Sequence, residues 1–314
     1  MQDKIATRDA YGQALLELGR KRSEVVALDA DLSKSTKTAL FAKEFPLRFF
    51  NMGISEADMM GTAAGLAASG YIPFASTFGV FATGRVYDQI RNSIAYPNLN
   101  VKIAASHAGI TVGEDGASHQ ALEDIALMRV LPNMTVIVPA DGYQAAQAVE
   151  AVCDFEGPVY LRLGRPKVPR VIPAELPFKL GRAQLLQEGD DVTLVAAGIM
   201  VGIAMEAAAM LLKEGLTAAV VNMHTIKPLD QDMLLRQAAH TGAVVTAEEH
   251  SIIGGLGGAV AEALGESHPV PILRVGVKDT FGESGTPDKL MQKYGLTVEN
   301  LAEHARSAVK MKKK

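Results

Sequence analysis

Short apolar runs alternate with amphipathic stretches along most of the chain. Residues 24–28, 71–76, 101–106, 134–139 and 158–163 are the apolar runs, each of a length suited to a strand buried on both faces. Between them, residues 7–19, 55–70, 85–95 and 142–154 carry apolar positions at helical spacing. Ser55 is the expected N-cap of the second of these helices and Gly70 its expected stop. Strand–helix alternation of this kind predicts an α/β fold, with a mostly parallel sheet and helices on both faces.

The alternation pauses over residues 165–190. Pro166, Pro169, Pro173 and Pro177 break any period there, and the stretch reads as an interdomain linker. A smaller set of units follows, with strands expected at 192–197, 218–223, 243–247 and 272–275. The expected organisation is therefore two α/β domains, residues 1–170 and 191–314, joined by 171–190. Residues 192–212 are apolar enough to resemble a membrane span, with Glu206 as the one charge. Gly198 and Gly202 interrupt them, so a strand followed by a packed helix is expected.

Composition narrows the function classes. A chain of 314 residues, 48% hydrophobic and 21% charged, has room for two sizeable cores and the balance of a soluble protein. The formal charge of −4 offers no long-range attraction to nucleic acid or to an anionic membrane. The single cysteine, Cys153, excludes a disulfide framework within the chain and reads as a buried thiol. Residues 1–11 mix charges and lack the apolar core of a signal peptide, so a cytoplasmic protein is expected. Lys310 and Lys312–Lys314 read as a solvated basic tail.

Three segments could carry chemistry. The first, 48–58, runs from a strand into a helix and puts Glu56 in the first helical turn. Alone, Glu56 is explained by its favourable interaction with the positive end of the helix dipole. The second, 76–89, holds Phe78 and Phe81 just after a strand. Core packing explains such a pair; a stacking wall for a flat heteroaromatic ring is the functional alternative. In the third, 106–120, His107 and His119 bracket a loop with three glycines and the acidic pair Glu114 and Asp115. Ser118 reads as the cap of a following helix. No tight metal-ligand spacing appears, so no metal site is assigned to this chain. A polar pocket that handles hydroxyls and protons fits better, because neutral histidine both donates and accepts.

These segments, in this order and spacing, resemble the pyrimidine-binding domain of transketolase. Gly113-Glu-Asp-Gly-Ala-Ser-His-Gln, followed by Leu131-Pro-Asn-Met, is similar to transketolase in particular. Lys227-Pro-Leu-Asp, Thr246-Ala-Glu-Glu-His and Gly254-Gly-Leu-Gly-Gly resemble the C-terminal domain of the same family. The resemblance implies that thiamine diphosphate is the cofactor and that Glu56 hydrogen-bonds N1′ of its aminopyrimidine ring. It implies that Phe78 and Phe81 pack on that ring, and that His107, Asp115 and His119 hold hydroxyls of a ketose donor. His119 is also a candidate for proton transfer. Arg8, Ser35 and Arg165 match positions that bind the phosphate of a sugar phosphate, and arginine suits phosphate oxygens bidentately. A third aromatic of the ring pocket falls near Gly84 here, where Tyr87 is a possible substitute.

The family's magnesium and diphosphate motif, G-D-G followed at a distance by Asn, is absent from the sequence. Residues 254–258 could cradle phosphate, although close helix–strand packing explains them as well. The resemblance therefore implies a partner: an N-terminal transketolase subunit that holds Mg and the diphosphate. It also implies a homodimer or heterotetramer, inactive without that partner, acting on phosphorylated sugars. Three alternatives stand beside this reading. They are a subunit like deoxyxylulose-phosphate synthase, a β subunit like that of 2-oxoacid dehydrogenases, and a non-catalytic scaffold that has kept the fold.

Overall fold

The apolar runs are strands in the computed structural model, which describes residues 4–312. In chain order the strands are β1 (Ile5–Ala6), β2 (Val25–Asp29), β3 (Phe49–Asn51), β4 (Ile72–Phe78), β5 (Lys102–Ser106), β6 (Thr135–Ile137) and β7 (Val159–Arg162). They continue with β8 (Lys167–Val168), β9 (Gln184–Gln187), β10 (Val192–Ala196), β11 (Ala218–Asn222), β12 (Thr225–Lys227), β13 (Val244–Ser251) and β14 (Ile272–Val277). The first large sheet has the order β12-β6-β7-β5-β4-β2-β3 and is parallel except for β12. The second has the order β14-β13-β10-β11-β9 and is parallel except for β9. The chain thus forms two α/β domains, each a mostly parallel sheet flanked by helices.

The residues of β2 show how the first sheet is packed. Val25 and Ala27 face a core built with Tyr11, Leu15 and Leu18 of helix Thr7–Lys21 and Ala145, Val149 and Val152 of helix Gly142–Asp154. Val26 and Leu28 face the other side, onto Met59, Met60 and Ala63 of helix Glu56–Ala68 and onto Ile90 and Ile94. The period of two along a strand is therefore satisfied by an apolar layer on each face. Each fully buried Leu or Met side chain contributes about 1.5–3 kcal/mol of apolar burial. The second layer is continuous with Val195, Val221, Leu256 and Val260 of the second domain, so this core cluster spans both domains.

Some local expectations need correction and others hold. The stretch read as linker ends in β9, an antiparallel edge strand whose half-exposed residues hide its alternation. Strand β12 leaves the second domain to pair with β6 at the edge of the first sheet. Ser55 occupies the N-cap of its helix, but its side chain makes no capping bond. Residues 192–212 form β10 and the helix Met200–Lys213, and no helix among the described residues is long and apolar enough to cross a membrane. Lys312 is not a free tail residue. Its Nζ donates to the carbonyls of Asp191 at 2.6 Å and Thr241 at 2.8 Å, the latter at a helix C-terminus where a cation is favoured. Lys313 and Lys314 lie outside the described residues. Cys153 is buried, and burial raises its thiol pKa.

Candidate active site

The register of two neighbouring strands brings the aromatic residues together. In the parallel pair β4 and β5, Phe78 lies opposite Ser106, so the residue after Ser106 emerges beside the Phe78 ring. That residue is His107, whose ring stacks on Phe78 with centroids 3.9 Å apart and planes 24° from parallel. Phe81, in the turn after β4, lies nearly parallel to Phe78 at 6.1 Å and 14°. The edge of His119 meets the rings of Phe81 at 5.3 Å and Phe78 at 6.3 Å. Four of the residues singled out in the sequence thus form one wall beyond the carboxyl ends of parallel strands, where open α/β sheets bind ligands.

His107 is held in an unusual state. Its φ of +57° is in the left-handed region, which costs a non-glycine residue about 1–2 kcal/mol. Two bonds fix the ring: Nε2 to Arg8 Nη1 at 3.1 Å and Nδ1 to Ser106 Oγ at 2.8 Å. Arginine only donates, so Nε2 must accept, which puts the proton on Nδ1. Burial lowers the His107 pKa to about 3, helped by the positive charges of Arg8, Arg165 and Lys37. The imidazole is therefore neutral at physiological pH.

Glu56 opens its helix and is only 3% exposed. Its Oε1 accepts from Arg85 Nη1 at 2.7 Å. The same guanidinium lies over the Phe81 ring, 4.2 Å from its centre. The helix expected over 85–95 has a π-helical turn at Ile90–Ala95 and follows another at Phe81–Arg85, and such turns occur often at functional sites. Tyr87 is partly buried and packs against the hydrophobic core. Arg85, not singled out as a site residue by the sequence, places its guanidinium over the Phe81 ring.

The remaining candidates surround this wall. Arg8 Nη1 also donates to the carbonyl of Ser35 at 3.0 Å. Ser35 lies in the short helical turn Ser33–Thr36, pinned by the buried Asp29, which accepts from Leu32 N at 2.6 Å, Thr36 Oγ1 at 2.6 Å and Thr38 Oγ1 at 2.8 Å. Arg165 donates to the Val112 carbonyl and to Glu114 Oε2 at 3.3 Å, with Asp115 Oδ2 at 3.9 Å. His119 Nδ1 meets Ser118 Oγ at 3.0 Å. Ser118 does not start a helix; the helix is Asp124–Arg129. Residues 121–124 are held by other partners first: Ala121 bridges to Ala108, and Asp124 is bonded to Tyr160 and Arg162.

The glycine-rich stretch 254–258 is not a free anion cradle. The amides of Leu256 and Gly257, at the start of helix Leu256–Ser267, donate to Glu248 Oε2 at 2.7 Å and Oε1 at 2.8 Å. A Cβ on Gly255 would collide with that carboxylate, so the glycine serves close packing. Among the described residues, no cluster of three or more His, Cys, Asp or Glu side chains could hold a metal ion.

The family pattern described as "Transketolase, pyrimidine binding domain" matches residues 3–170. The chain belongs to the transketolase family. The pattern for the "Transketolase, C-terminal domain" matches residues 181–301. The chain is 49% identical to a "putative transketolase C-terminal section" of Methanocaldococcus jannaschii, over 96% of each protein. It is 47% identical to the "6-deoxy-6-sulfo-D-fructose transketolase subunit SqwH" of a Clostridium species, over 97% of this chain and 95% of that one. A solved "split gene transketolase, inactive beta4 tetramer" superposes with a TM-score of 0.91 at 57% identity. That likeness covers 99% of this transketolase-family chain and 100% of the other.

Proposed function

We propose that this chain is the C-terminal subunit of a two-chain transketolase, which moves a two-carbon ketol unit between sugar phosphates. The observation that carries this reading is the wall of Phe78, Phe81, His107 and His119, with the buried carboxylate of Glu56 one arginine away from Phe81. The kinds of relative that the chain matches over nearly their whole length support the two-chain organisation.

The donor set fits the pyrimidine half of thiamine diphosphate. A flat heteroaromatic ring needs an apolar aromatic face and an acceptor at its ring nitrogen, and Phe78, Phe81 and Glu56 supply them. When bound, thiamine diphosphate supplies the electron sink for carbon–carbon cleavage next to a carbonyl. Glu56 would hold a proton at N1′ of the aminopyrimidine ring, where its burial would strengthen the bond. Phe78 and Phe81 would pack on the ring, which requires the Arg85 guanidinium to leave the Phe81 face. Half-buried His119 would bond a hydroxyl of a ketose donor and move a proton there, and neutral His107 would bond another by exchanging its Nε2 bond to Arg8 for the hydroxyl. Asp115 would hold a further hydroxyl. Arg8 and Arg165, with Ser35 of the helical turn Ser33–Thr36, would bind the substrate phosphate, and Lys37 adds to the same positive field. Mg and the diphosphate would be held mainly by the N-terminal partner, since G-D-G is absent from this sequence.

The test is the donor preference of this chain assembled with a partner that carries G-D-G. Ketol transfer from xylulose 5-phosphate to ribose 5-phosphate is the expected activity. Turnover of pyruvate with no such transfer would overturn the reading in favour of the deoxyxylulose-phosphate synthase or 2-oxoacid dehydrogenase type.

A further inference from the structure

The loop that carries Asp115 and His119 is tied to the second domain at several points. Glu249, on β13, is 6% exposed, and its Oε1 accepts the backbone N–H of Thr111 at 2.7 Å. The carboxylate passes against Gly109, whose φ is +83° and where a Cβ would collide with it. Gln120 Nε2 donates to the carbonyls of Ile110 at 3.2 Å and of Glu283 at 2.9 Å, joining the loop to the chain before helix Pro287–Lys293. Ser284 Oγ donates to the Glu114 carbonyl at 2.6 Å. The seat of Glu249 is itself anchored. Arg162 Nη2 donates to the Glu249 carbonyl at 2.9 Å, while Arg162 Nε holds Asp124 at 2.7 Å.

A carboxylate in such a place is expensive unless it is compensated. Burial raises the Glu249 pKa, opposed by the charge of Arg162 and by the Thr111 amide. An apolar side chain would fill the same volume without that penalty, yet it could not accept the Thr111 N–H. Arg162 offsets the charge, and the bond from the Thr111 amide calls for an oxygen at this place.

We propose that Glu249 is a positioning residue for the active-site loop: through the Thr111 amide and against Gly109, it sets residues 109–120 so that His119 meets the Phe78 and Phe81 rings and Asp115 stands beside Arg165. What the loop does in this proposal rests on the ketol-transfer reading. That the loop is set from the second domain does not.

The experiment uses hydrogen exchange on the full chain and kinetics on the assembled pair. In Glu249→Ala, amides 110–119 are expected to exchange about tenfold faster or more, while those of β10 keep their rate. Should the alanine variant fail to fold, Glu249→Gln carries the test, because its amide oxygen accepts the same N–H more weakly. Its loop exchange should rise by a smaller but clear factor of about three. In the pair, both variants should raise the KM for xylulose 5-phosphate about fivefold or more, with thiamine diphosphate affinity held within about twofold. Unchanged loop exchange in a folded variant would overturn the proposal. So would a matching loss of cofactor affinity, which would mark a general structural role. Faster loop exchange in an assembly whose wild type transfers no ketol unit would support the positioning and count against the ketol-transfer reading alone.

Discussion

Arg85 and Glu56 meet across 2.7 Å, Nη1 on Oε1, while the same guanidinium lies 4.2 Å from the centre of the Phe81 ring. One side chain thus touches both the carboxylate and the aromatic face proposed for the cofactor's pyrimidine ring. Arg85 is about half exposed and Glu56 is buried, so the pair is open on the arginine side only.

Removing Arg85 should expose the cost of that arrangement. Arg85→Ala leaves a buried carboxylate without its charged donor, and the isolated chain should lose about 1–3 kcal/mol in urea unfolding. Arg85→Lys keeps a positive charge but not the flat contact with Phe81, and should recover part of the loss. An unchanged urea midpoint in the alanine variant would show that the contact carries no weight.

His107 should make stability depend on acid. Its folded pKa is lowered from 6.5 to about 3, so between those values the unfolded chain binds a proton that the folded chain refuses. That contribution is intact above about pH 6.5 and is lost as pH falls toward 3. Between pH 7 and pH 5 the wild type should therefore lose up to about 2 kcal/mol more than His107→Gln. Parallel stability–pH curves for the two proteins would contradict a buried neutral imidazole.

Glu248 should behave as a helix cap rather than as a ligand. Its carboxylate satisfies the Leu256 and Gly257 amides, and Glu248→Ala would leave both without an acceptor. A loss of about 1–3 kcal/mol in thermal or urea unfolding is expected. Wild-type stability in that variant would mean that the two amides find another partner easily.

The sequence showed the parallel sheets plainly because their strands are short, apolar and separated by helical spacing, as in residues 24–28 and 101–106. It hid β9 and β12, which are edge strands and carry no such run. Strand β12 pairs outside its own domain, a relationship that local pattern cannot reveal. Within the site, Glu56, Phe78, Phe81, His107 and His119 were named from motif order, and strand register explains why the rings meet. Arg85 was missed because it lies just past Gly84, in a stretch whose π-helical turns shift side-chain direction from the regular helical spacing. Glu249 was quoted only as part of a motif; its role depends on a contact with Thr111, 138 residues earlier in the chain. The helix misplaced at Ser118 failed for a similar reason, since long-range bonds to Tyr160 and Arg162 fix where it begins.

The central claim is that this chain supplies the activating glutamate to a site completed by another subunit. The most direct measurement is ketol transfer from xylulose 5-phosphate to ribose 5-phosphate, with thiamine diphosphate and magnesium. It compares the chain alone, the chain with a G-D-G-bearing partner, and the same mixture with Glu56→Ala. Activity in the mixture only, lowered by a factor of about 100–10,000 in the variant, is the predicted result. Full activity in the chain alone, or in the Glu56→Ala mixture, would contradict it.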